Sequence, residues 1–129
     1  SMGSFLLAAG EPGLRVALLE GKCAWAPWLF HRHDEHYEWV GSWEARDLSM
    51  KPSELWRRQG YSTYQHEPSV AVMIPLIGED NIMWGSDYPH PDGIWPDSQK
   101  WISQDLGSVS AAVQRKILCE NAGKLYGLL

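Results

Sequence analysis

Asp87 is the acidic residue whose place in the sequence most favours chemistry. It follows the apolar segment 82–85, which is typical of a strand buried in a parallel sheet. Such sheets bind ligands at the carboxyl ends of their strands, so a carboxylate at this position is placed to contact a ligand. The alternative is a structural role, in which Asp87 caps the turn before Tyr88 and Pro89.

Three histidines lie close together in residues 31–36, but within a predicted helix. Residues two apart on a helix point about 200° away from each other, so His31 and His33 do not face the same ligand. His33 and His36 are three apart and could share a metal ion. The alternative, which we favour, is a solvated helix face with one buried edge.

Other motifs of known chemistry are absent from the sequence. It has no glycine-rich phosphate loop, no nucleophile elbow and no cysteine pair with zinc spacing. Cys23 and Cys119 lie far apart, and we expect two buried thiols in a reducing cytoplasm. Basic residues are scattered apart from Arg57 and Arg58, and the net charge is −5, which argues against a nucleic-acid partner.

The composition is that of a single globular domain. The chain has 129 residues, of which 44% are hydrophobic and 21% charged. The longest apolar run, residues 70–77, is interrupted by Pro75 and is too short to span a membrane. No signal peptide is recognised, and Ser1 before Met2 is typical of a cleaved tag, which predicts Met2 as the native start. Eight tryptophans indicate extra apolar surface that needs cover.

Buried strands alternate with helices along the chain, which predicts a parallel sheet. In the long helix predicted over 24–39, Trp28, Leu29, His36 and Trp39 fall near one stripe. Side-chain caps are predicted at Ser69, at Asp97 or Ser98, and at Ser110. The predicted strands are 14–20, 61–64 and 82–86; the other predicted helices are 2–9, one from about 52 through 56, 69–76, 98–106 and one from 110 that breaks at Cys119-Glu120.

Residues 84–90, Trp-Gly-Ser-Asp-Tyr-Pro-His, resemble the eighth strand and loop of the amidohydrolase-related superfamily. The resemblance is to the branch of aminocarboxymuconate semialdehyde decarboxylase and related decarboxylases and hydrolases. Residues 15–37 are similar to the family's sixth strand and helix, and residues 116–128 to its final helices. The resemblance covers essentially the whole chain, 1–129, and implies an α/β fold: the C-terminal part of a TIM (β/α) barrel with about three parallel strands.

The resemblance also implies a divalent metal, zinc or similar. In the family the aspartate that matches Asp87 binds the metal or handles a proton of metal-bound water, whose pKa the metal lowers. Glu20 stands where the family often has His-Gly-Gly, and it can ligate a metal through oxygen. The alternative for Glu20 is a buried acid satisfied by backbone donors or by Lys22.

Three further residues are implied at the mouth of the site. His90 matches a family position that faces the active-site mouth, which makes it the second catalytic candidate beside Asp87. Its alternative is a loop histidine hydrogen-bonded to backbone. Tyr88 and Trp25 are candidates for contacting substrate, although both can simply pack.

The family's other ligands decide between two hypotheses of function. The family takes histidines from a His-x-His motif after its first strand and from its fifth and sixth strands, and this sequence has no His-x-His at a strand end. Three or four ligands are normal for a transition metal. We therefore expect a truncated metal-dependent hydrolase or decarboxylase that is inactive as an isolated chain. The alternative is a non-catalytic, oligomeric binding or scaffold protein.

Three parallel strands leave two open sheet edges and an uncovered inner face, which a closed barrel does not have. Exposed apolar surface of this kind drives association. We therefore expect a homo-oligomer, most simply a two-fold dimer that packs inner faces or pairs edge strands. The alternative partner is a separately encoded N-terminal fragment that completes the barrel and supplies the histidines.

Overall fold

The computed structural model of the chain describes residues 13–44 and 48–129. Its sheet has three strands, β1 (Val16–Leu18), β2 (Gly60–Tyr64) and β3 (Ile82–Trp84), and all are parallel in the order β1-β2-β3. The predicted parallel sheet is therefore confirmed. The first strand spans 16–18 and is shorter at both ends than the predicted 14–20. At its carboxyl end the left-handed backbone of Glu20, with φ 58°, cannot continue a strand.

Helices connect the strands and cover one side of the sheet. In the described residues they are α1 (Ala26–Glu44), α2 (Pro52–Gln59), α3 (Val70–Ile77), α4 (Ser98–Leu106), α5 (Ala111–Arg115), a π-helical segment (Lys116–Glu120) and α6 (Asn121–Leu125). The helix predicted over 2–9 lies outside the described residues. None of the helices within the described ranges combines the length and apolar character that crossing a bilayer requires.

The predicted break at Cys119-Glu120 is wrong, because the chain stays helical there through the π-helical segment. The backbone N–H of Asn121 donates to the carbonyl of Lys116, which closes a wider turn than the α-helix uses. The side-chain amide of Asn121 donates to the carbonyls of Glu79 and Ile82, both at 2.8 Å. Packing on the loop and strand before it therefore fixes where α6 begins.

Only one of the predicted side-chain caps forms. Ser110 accepts from the backbone N–H of Val113 at 3.4 Å. Ser69 and Asp97 occupy the positions before α3 and α4 but make no capping hydrogen bond through their side chains. Ser69 has φ −89° and ψ −5°, which is helical backbone, whereas a capping side chain needs extended backbone at that position.

A buried glutamate closes the amino-terminal end of α1. The carboxylate of Glu67, which is 6% exposed, accepts from the backbone N–H groups of Cys23 at 2.7 Å and Ala24 at 2.8 Å. The backbone N–H of Glu67 donates in turn to the buried carboxylate of Asp105 at 2.8 Å. This arrangement ties α1 to the end of β2 and to α4, and it supplies acceptors for N–H groups that precede the helix.

The side chain of Asn81 supplies hydrogen-bond donors for backbone carbonyls at the carboxyl end of α2. Its side-chain amide donates to the backbone carbonyls of Trp56 at 3.2 Å, Arg57 at 3.0 Å and Gly60 at 2.8 Å. Asn81 is 5% exposed, so water does not replace these bonds. One amide thereby joins the end of α2, the start of β2 and the turn before β3.

The core lies between the sheet and the helices, with Trp56 at its centre. Burial raises the pKa of the Cys23 thiol to about 12, and the nearby carboxylate of Glu67 adds to the rise. Cys119, by contrast, is exposed, so the expectation of two buried thiols is wrong for that residue. The core cluster contains Cys23, Ala26, Phe30, Trp56, Tyr64, Val70, Ile74, Ile77, Ile82, Leu106 and Ile117.

Candidate metal centre

The candidate acids lie at one edge of the sheet. Glu20 follows β1 by two residues and Asp87 follows β3 by three, and parallel strands place both at the carboxyl edge. Donor atoms of Glu20, Asp87 and His90 all lie within 4.8 Å of one another. The structure thus brings together the three residues for which the sequence predicts metal binding or catalysis. We call them the acid–histidine cluster.

Asp87 is the fixed member of the cluster. Its side chain is 4% exposed, one oxygen accepts from Nδ1 of His90 at 2.6 Å, and the other accepts from Nε2 of Gln65 at 2.9 Å. The predicted alternative, a turn cap, describes it less well, because both oxygens are engaged by other side chains. The side chains of Glu20 and His90 are about half exposed, and Oε2 of Glu20 lies 3.8 Å from Nδ1 of His90. These two residues therefore form the solvent-facing side of the cluster.

Both acids stand in an unusual backbone conformation. Glu20 has φ 58° and Asp87 has φ 56°, in the left-handed region that side chains other than glycine rarely adopt. The left-handed backbone raises the conformational free energy of each such residue by roughly 1–2 kcal/mol. The backbone N–H of Glu20 donates to Oγ1 of Thr63 at 2.6 Å, which holds the turn after β1 against β2. Strained residues of this kind concentrate at functional sites.

A small cavity opens beside the cluster. It has a volume of about 140 Å³, and all three strand ends contribute to its wall. That is room for an ion and a few waters, since a water occupies about 30 Å³, and it is less than the ~300 Å³ of a typical small-molecule pocket. Its lining residues are Leu19, Glu20, Thr63, Tyr64, Gln65, Gly85 and Asp87.

A sequence profile of the family described as Amidohydrolase matches residues 9–128, nearly the whole chain. The chain belongs to the amidohydrolase family. This agrees with the resemblance of residues 84–90 to the eighth strand and loop of that family. No curated protein matches this sequence significantly.

The amidohydrolase chain is similar in fold to several solved barrels. One is 5-carboxyvanillate decarboxylase from Sphingomonas paucimobilis, with 24% identity, a TM-score of 0.70, and 88% of this chain covering 34% of that one. A second is a dihydroxybenzoic acid decarboxylase from Polaromonas sp. JS666 with bound manganese and the inhibitor 2-nitroresorcinol, with 22% identity, a TM-score of 0.75, and 98% of this chain covering 39% of that one.

A third solved structure is an amidohydrolase from Mycobacterium avium subsp. paratuberculosis K-10, with 24% identity, a TM-score of 0.74, and 88% of this chain covering 28% of that one. At these identities the likenesses show the fold. They confirm the predicted partial TIM barrel of three parallel strands with flanking helices. This amidohydrolase chain spans between 28% and 39% of the length of the three proteins.

Trp25 and Tyr88, the predicted substrate contacts, both lie outside the cavity wall. The indole N–H of Trp25 donates to the carbonyls of Gly21 at 2.9 Å and Lys22 at 3.1 Å, and its ring packs edge-on against Trp56. Trp25 therefore supports the turn that carries Glu20. Tyr88 is 65% exposed and packs edge-on against Trp95, with 5.1 Å between ring centroids. Substrate contact remains a prediction for both residues.

Sequence reasoning missed Gln65 and Thr63, which hold Asp87 and the turn of Glu20. Both stand at the carboxyl end of β2. Polar side chains at that end of a strand face the ligand edge of a barrel, so their position in the sequence could have indicated them as site residues. The helix histidines behave as expected of a solvated face. Nε2 of His36 pairs with Glu44 at 2.8 Å.

The pKa values of Asp87 and His90 move in opposite directions. The hydrogen bond from His90, followed by that from Gln65, lowers the pKa of Asp87. The hydrogen bond to Asp87, with the charges of Asp87 and Glu20, raises the pKa of His90. Their attraction is therefore lost as the pH falls through the lowered pKa of Asp87, and as it rises through the raised pKa of His90.

An NMR titration of the His90 ring is expected to give a pKa above the ordinary 6.5. Asp87→Asn should return that pKa toward its ordinary value, because it removes the strongest hydrogen bond and the nearest charge. Asp92→Asn is the matched control and should lower the pKa of His90 much less, since Asp92 is the weakest of the named causes. Equal titration of His90 in the wild type and in Asp87→Asn would contradict this assignment.

Proposed function

We propose that the acid–histidine cluster is the share of a divalent-metal site that this amidohydrolase chain provides. The complete barrel would be a metal-dependent hydrolase or decarboxylase. The observation that carries the proposal is the convergence of three donors within 4.8 Å at the carboxyl edge of the sheet. Parallel sheets and barrels bind their ligands at that edge.

The chemistry of the donors fits such an ion. Two carboxylates and one imidazole form a mixed oxygen and nitrogen set, which suits zinc and manganese. A solved structure of similar fold, the dihydroxybenzoic acid decarboxylase from Polaromonas sp. JS666, has manganese bound. When bound, such an ion supplies a Lewis acid that lowers the pKa of water or polarises a carboxylate or carbonyl.

The residues of the chain have separate tasks in this proposal. Gln65 holds one oxygen of Asp87 at 2.9 Å and fixes the direction of the carboxylate, as partners behind a metal ligand do. Glu20 and His90 are half exposed and can adjust to the ion. Nδ1 of His90 lies 2.6 Å from Oδ1 of Asp87, so the carboxylate orients the ring. Glu20 and Asp87, both in left-handed turns, stand in the wall of the cavity.

We propose further that the isolated chain is inactive. The cavity beside the acid–histidine cluster, whose wall includes Glu20 and Asp87, has a volume of about 140 Å³, which does not suffice for an organic substrate. In barrels, substrate specificity is built from several βα loops, and this chain spans at most 39% of the similar barrels. A second copy, or an N-terminal barrel fragment, would then cover the open sheet. The unpaired cysteines favour a reducing compartment such as the cytoplasm.

Metal binding by untagged protein tests the proposal, measured by titration calorimetry with Mn²⁺ and Zn²⁺ and by elemental analysis after dialysis. We expect one ion per chain. Asp87→Ala should weaken binding by at least about 100-fold, because it removes the most firmly held ligand. Asp97→Ala, an exposed acid outside the cluster, is the matched control and should bind as the wild type does.

Two results would contradict the proposal. One is wild-type protein that takes up no more metal than a chain without the cluster. The other is Asp87→Ala protein that binds metal as the wild type does. Unfolding curves of each variant separate loss of the ligand from loss of the fold.

A further inference from the structure

Two of the three donors of the acid–histidine cluster lie on one loop, residues 86–94. The backbone N–H of Ile94 donates to the carbonyl of Ser86 at 3.0 Å, so the two ends of the loop are joined to each other. Asp87 and His90 stand between these ends, and neither belongs to a helix or a strand. The spacing of the two donors therefore depends on how the loop itself is closed.

Two further backbone hydrogen bonds set the shape of this loop. The N–H of His90 donates to the carbonyl of Asp87 at 2.9 Å, and the N–H of Gly93 donates to the carbonyl of His90 at 3.0 Å. In each case the donor follows the acceptor by three residues, as in a β-turn. The two turns follow each other directly and place Gly93 beside the main chain of both metal-ligand candidates.

The position of Gly93 leaves no room for a side chain. A Cβ atom on its backbone would lie 2.7 Å from the carbonyl oxygen of Asp87 and 3.0 Å from that of His90. A carbon atom otherwise approaches a carbonyl oxygen to about 3.3 Å. The obstacle consists of backbone atoms, which cannot turn aside as the end of a flexible side chain can.

The need for glycine at this position is one of space and not of backbone conformation. Many glycines are required because their φ angle is left-handed, and among the described residues Gly13, Gly78 and Gly127 are of this kind. The φ angle of Gly93 lies outside that region. The close approach of the two carbonyl groups is therefore what excludes a side chain.

We propose that Gly93 is a positioning residue of the metal site, because its lack of a side chain lets the loop close and sets the distance between the donors of Asp87 and His90. This inference rests on the proposed function of the acid–histidine cluster. A methyl group at position 93 would move the carbonyl of Asp87 by about 0.6 Å, the difference between 2.7 Å and an ordinary contact of about 3.3 Å. A binding site has to hold its groups within about 0.5 Å of the productive geometry.

The side chain of Asp87 cannot simply follow a shifted main chain. One of its oxygens lies 2.6 Å from Nδ1 of His90, and the other accepts from Nε2 of Gln65 at 2.9 Å. Gln65 belongs to a different strand end, so it does not move with the loop. A displaced backbone therefore breaks one of these contacts or changes the distance between the two donors.

The variant Gly93→Ala tests the inference, and Gly107→Ala is the matched control. A Cβ atom at position 107 would clash with the carbonyl oxygen of Ser103, so the control creates the same kind of conflict after α4, outside the loop. In calorimetric titration with Mn²⁺, we expect binding to weaken at least about tenfold in Gly93→Ala and to stay as in the wild type in Gly107→Ala. Urea unfolding of each variant establishes that the protein measured is folded.

A measurement on the metal-free protein separates this inference from the proposed function. The NMR resonance of Nδ1 of His90 reports its contact with the carboxylate of Asp87. We expect Gly93→Ala to move this resonance toward its position in Asp87→Ala, which has no carboxylate, and Gly107→Ala to leave it unchanged. If the wild type binds no metal, the proposed function fails, and the resonance still decides whether Gly93 places the two donors.

Three results would overturn the inference. The first is a folded Gly93→Ala protein whose His90 resonance is that of the wild type. The second is a Gly93→Ala protein that binds Mn²⁺ as tightly as a metal-binding wild type. The third is a Gly93→Ala chain that does not fold, since Gly93 would then serve the fold and not the placement of the donors.

Discussion

Replacing Asn81 with Asp is expected to lower the free energy of unfolding at neutral pH by at least about 3 kcal/mol. The amide of Asn81 donates to three backbone carbonyls, and the residue is 5% exposed. The substitution has the same shape but turns the donor into an acceptor. Three carbonyl oxygens would then face a buried carboxylate, with neither hydrogen bonds nor water to compensate.

The pH dependence identifies the cause of the Asn81→Asp effect. Burial among carbonyl oxygens raises the folded-state pKa of the introduced carboxyl above its unfolded value of about 3.9. The variant is therefore least destabilised below that value, where the carboxyl is protonated, and the destabilisation grows as the pH rises through the raised pKa.

Urea unfolding of Asn81→Asp and wild type across the acid to neutral range measures this difference. Gln104→Glu makes the same amide-to-acid change at an exposed position of α4 and is expected to change stability little. A loss for Asn81→Asp that is independent of pH, or no larger than that for Gln104→Glu, would contradict the explanation.

Replacing Glu67 with Ala is expected to lower the free energy of unfolding by about 2–3 kcal/mol. The carboxylate accepts from the N–H groups of Cys23 and Ala24, and Cys23 is fully buried. Without it, at least one buried donor has no acceptor, and the amino-terminal end of α1 loses a favourable negative charge.

One further variant separates the loss of the hydrogen-bond acceptors from the loss of the negative charge, and a second serves as a control. Glu67→Gln keeps one oxygen for one of the two N–H groups and should fall between the wild type and Glu67→Ala. Asp92→Ala removes an exposed acid and should leave stability nearly unchanged. Hydrogen exchange at the amides of Cys23 and Ala24 should accelerate in Glu67→Ala. Unchanged exchange at both amides would show that the carboxylate does not hold this end of the helix.

The parallel sheet and the place of the candidate site follow from local patterns. Apolar runs locate β1 and β3, although both strands are shorter than the predicted 14–20 and 82–86, and β-prone residues locate β2. The edge rule for parallel sheets then places Glu20 and Asp87 together. The role of Trp25 could not be predicted in this way, because it depends on carbonyls that a left-handed turn exposes. Gln65 is joined to Asp87 by contact between distant segments, which no local pattern encodes.

The ends of the helices likewise depend in part on local sequence and in part on packing between distant segments. Ser110 caps as its local sequence predicts, whereas Ser69 does not, because its backbone is already helical. The π-helical segment Lys116–Glu120 accommodates one extra residue per turn where Asn121 is anchored on the loop before β3. A helical repeat in the sequence does not reveal such a turn, since it arises from packing between distant parts of the chain.

The strand order determines when the acid–histidine cluster assembles during folding. β1 and β3 are not neighbours, so Glu20 and Asp87 meet only when β2 is paired on both sides. A partly folded chain that lacks either pairing does not hold the three donors together. Any ion the cluster holds would select the fully assembled chain and, at about 100 times its dissociation constant, would shift the folding equilibrium by about 2.7 kcal/mol.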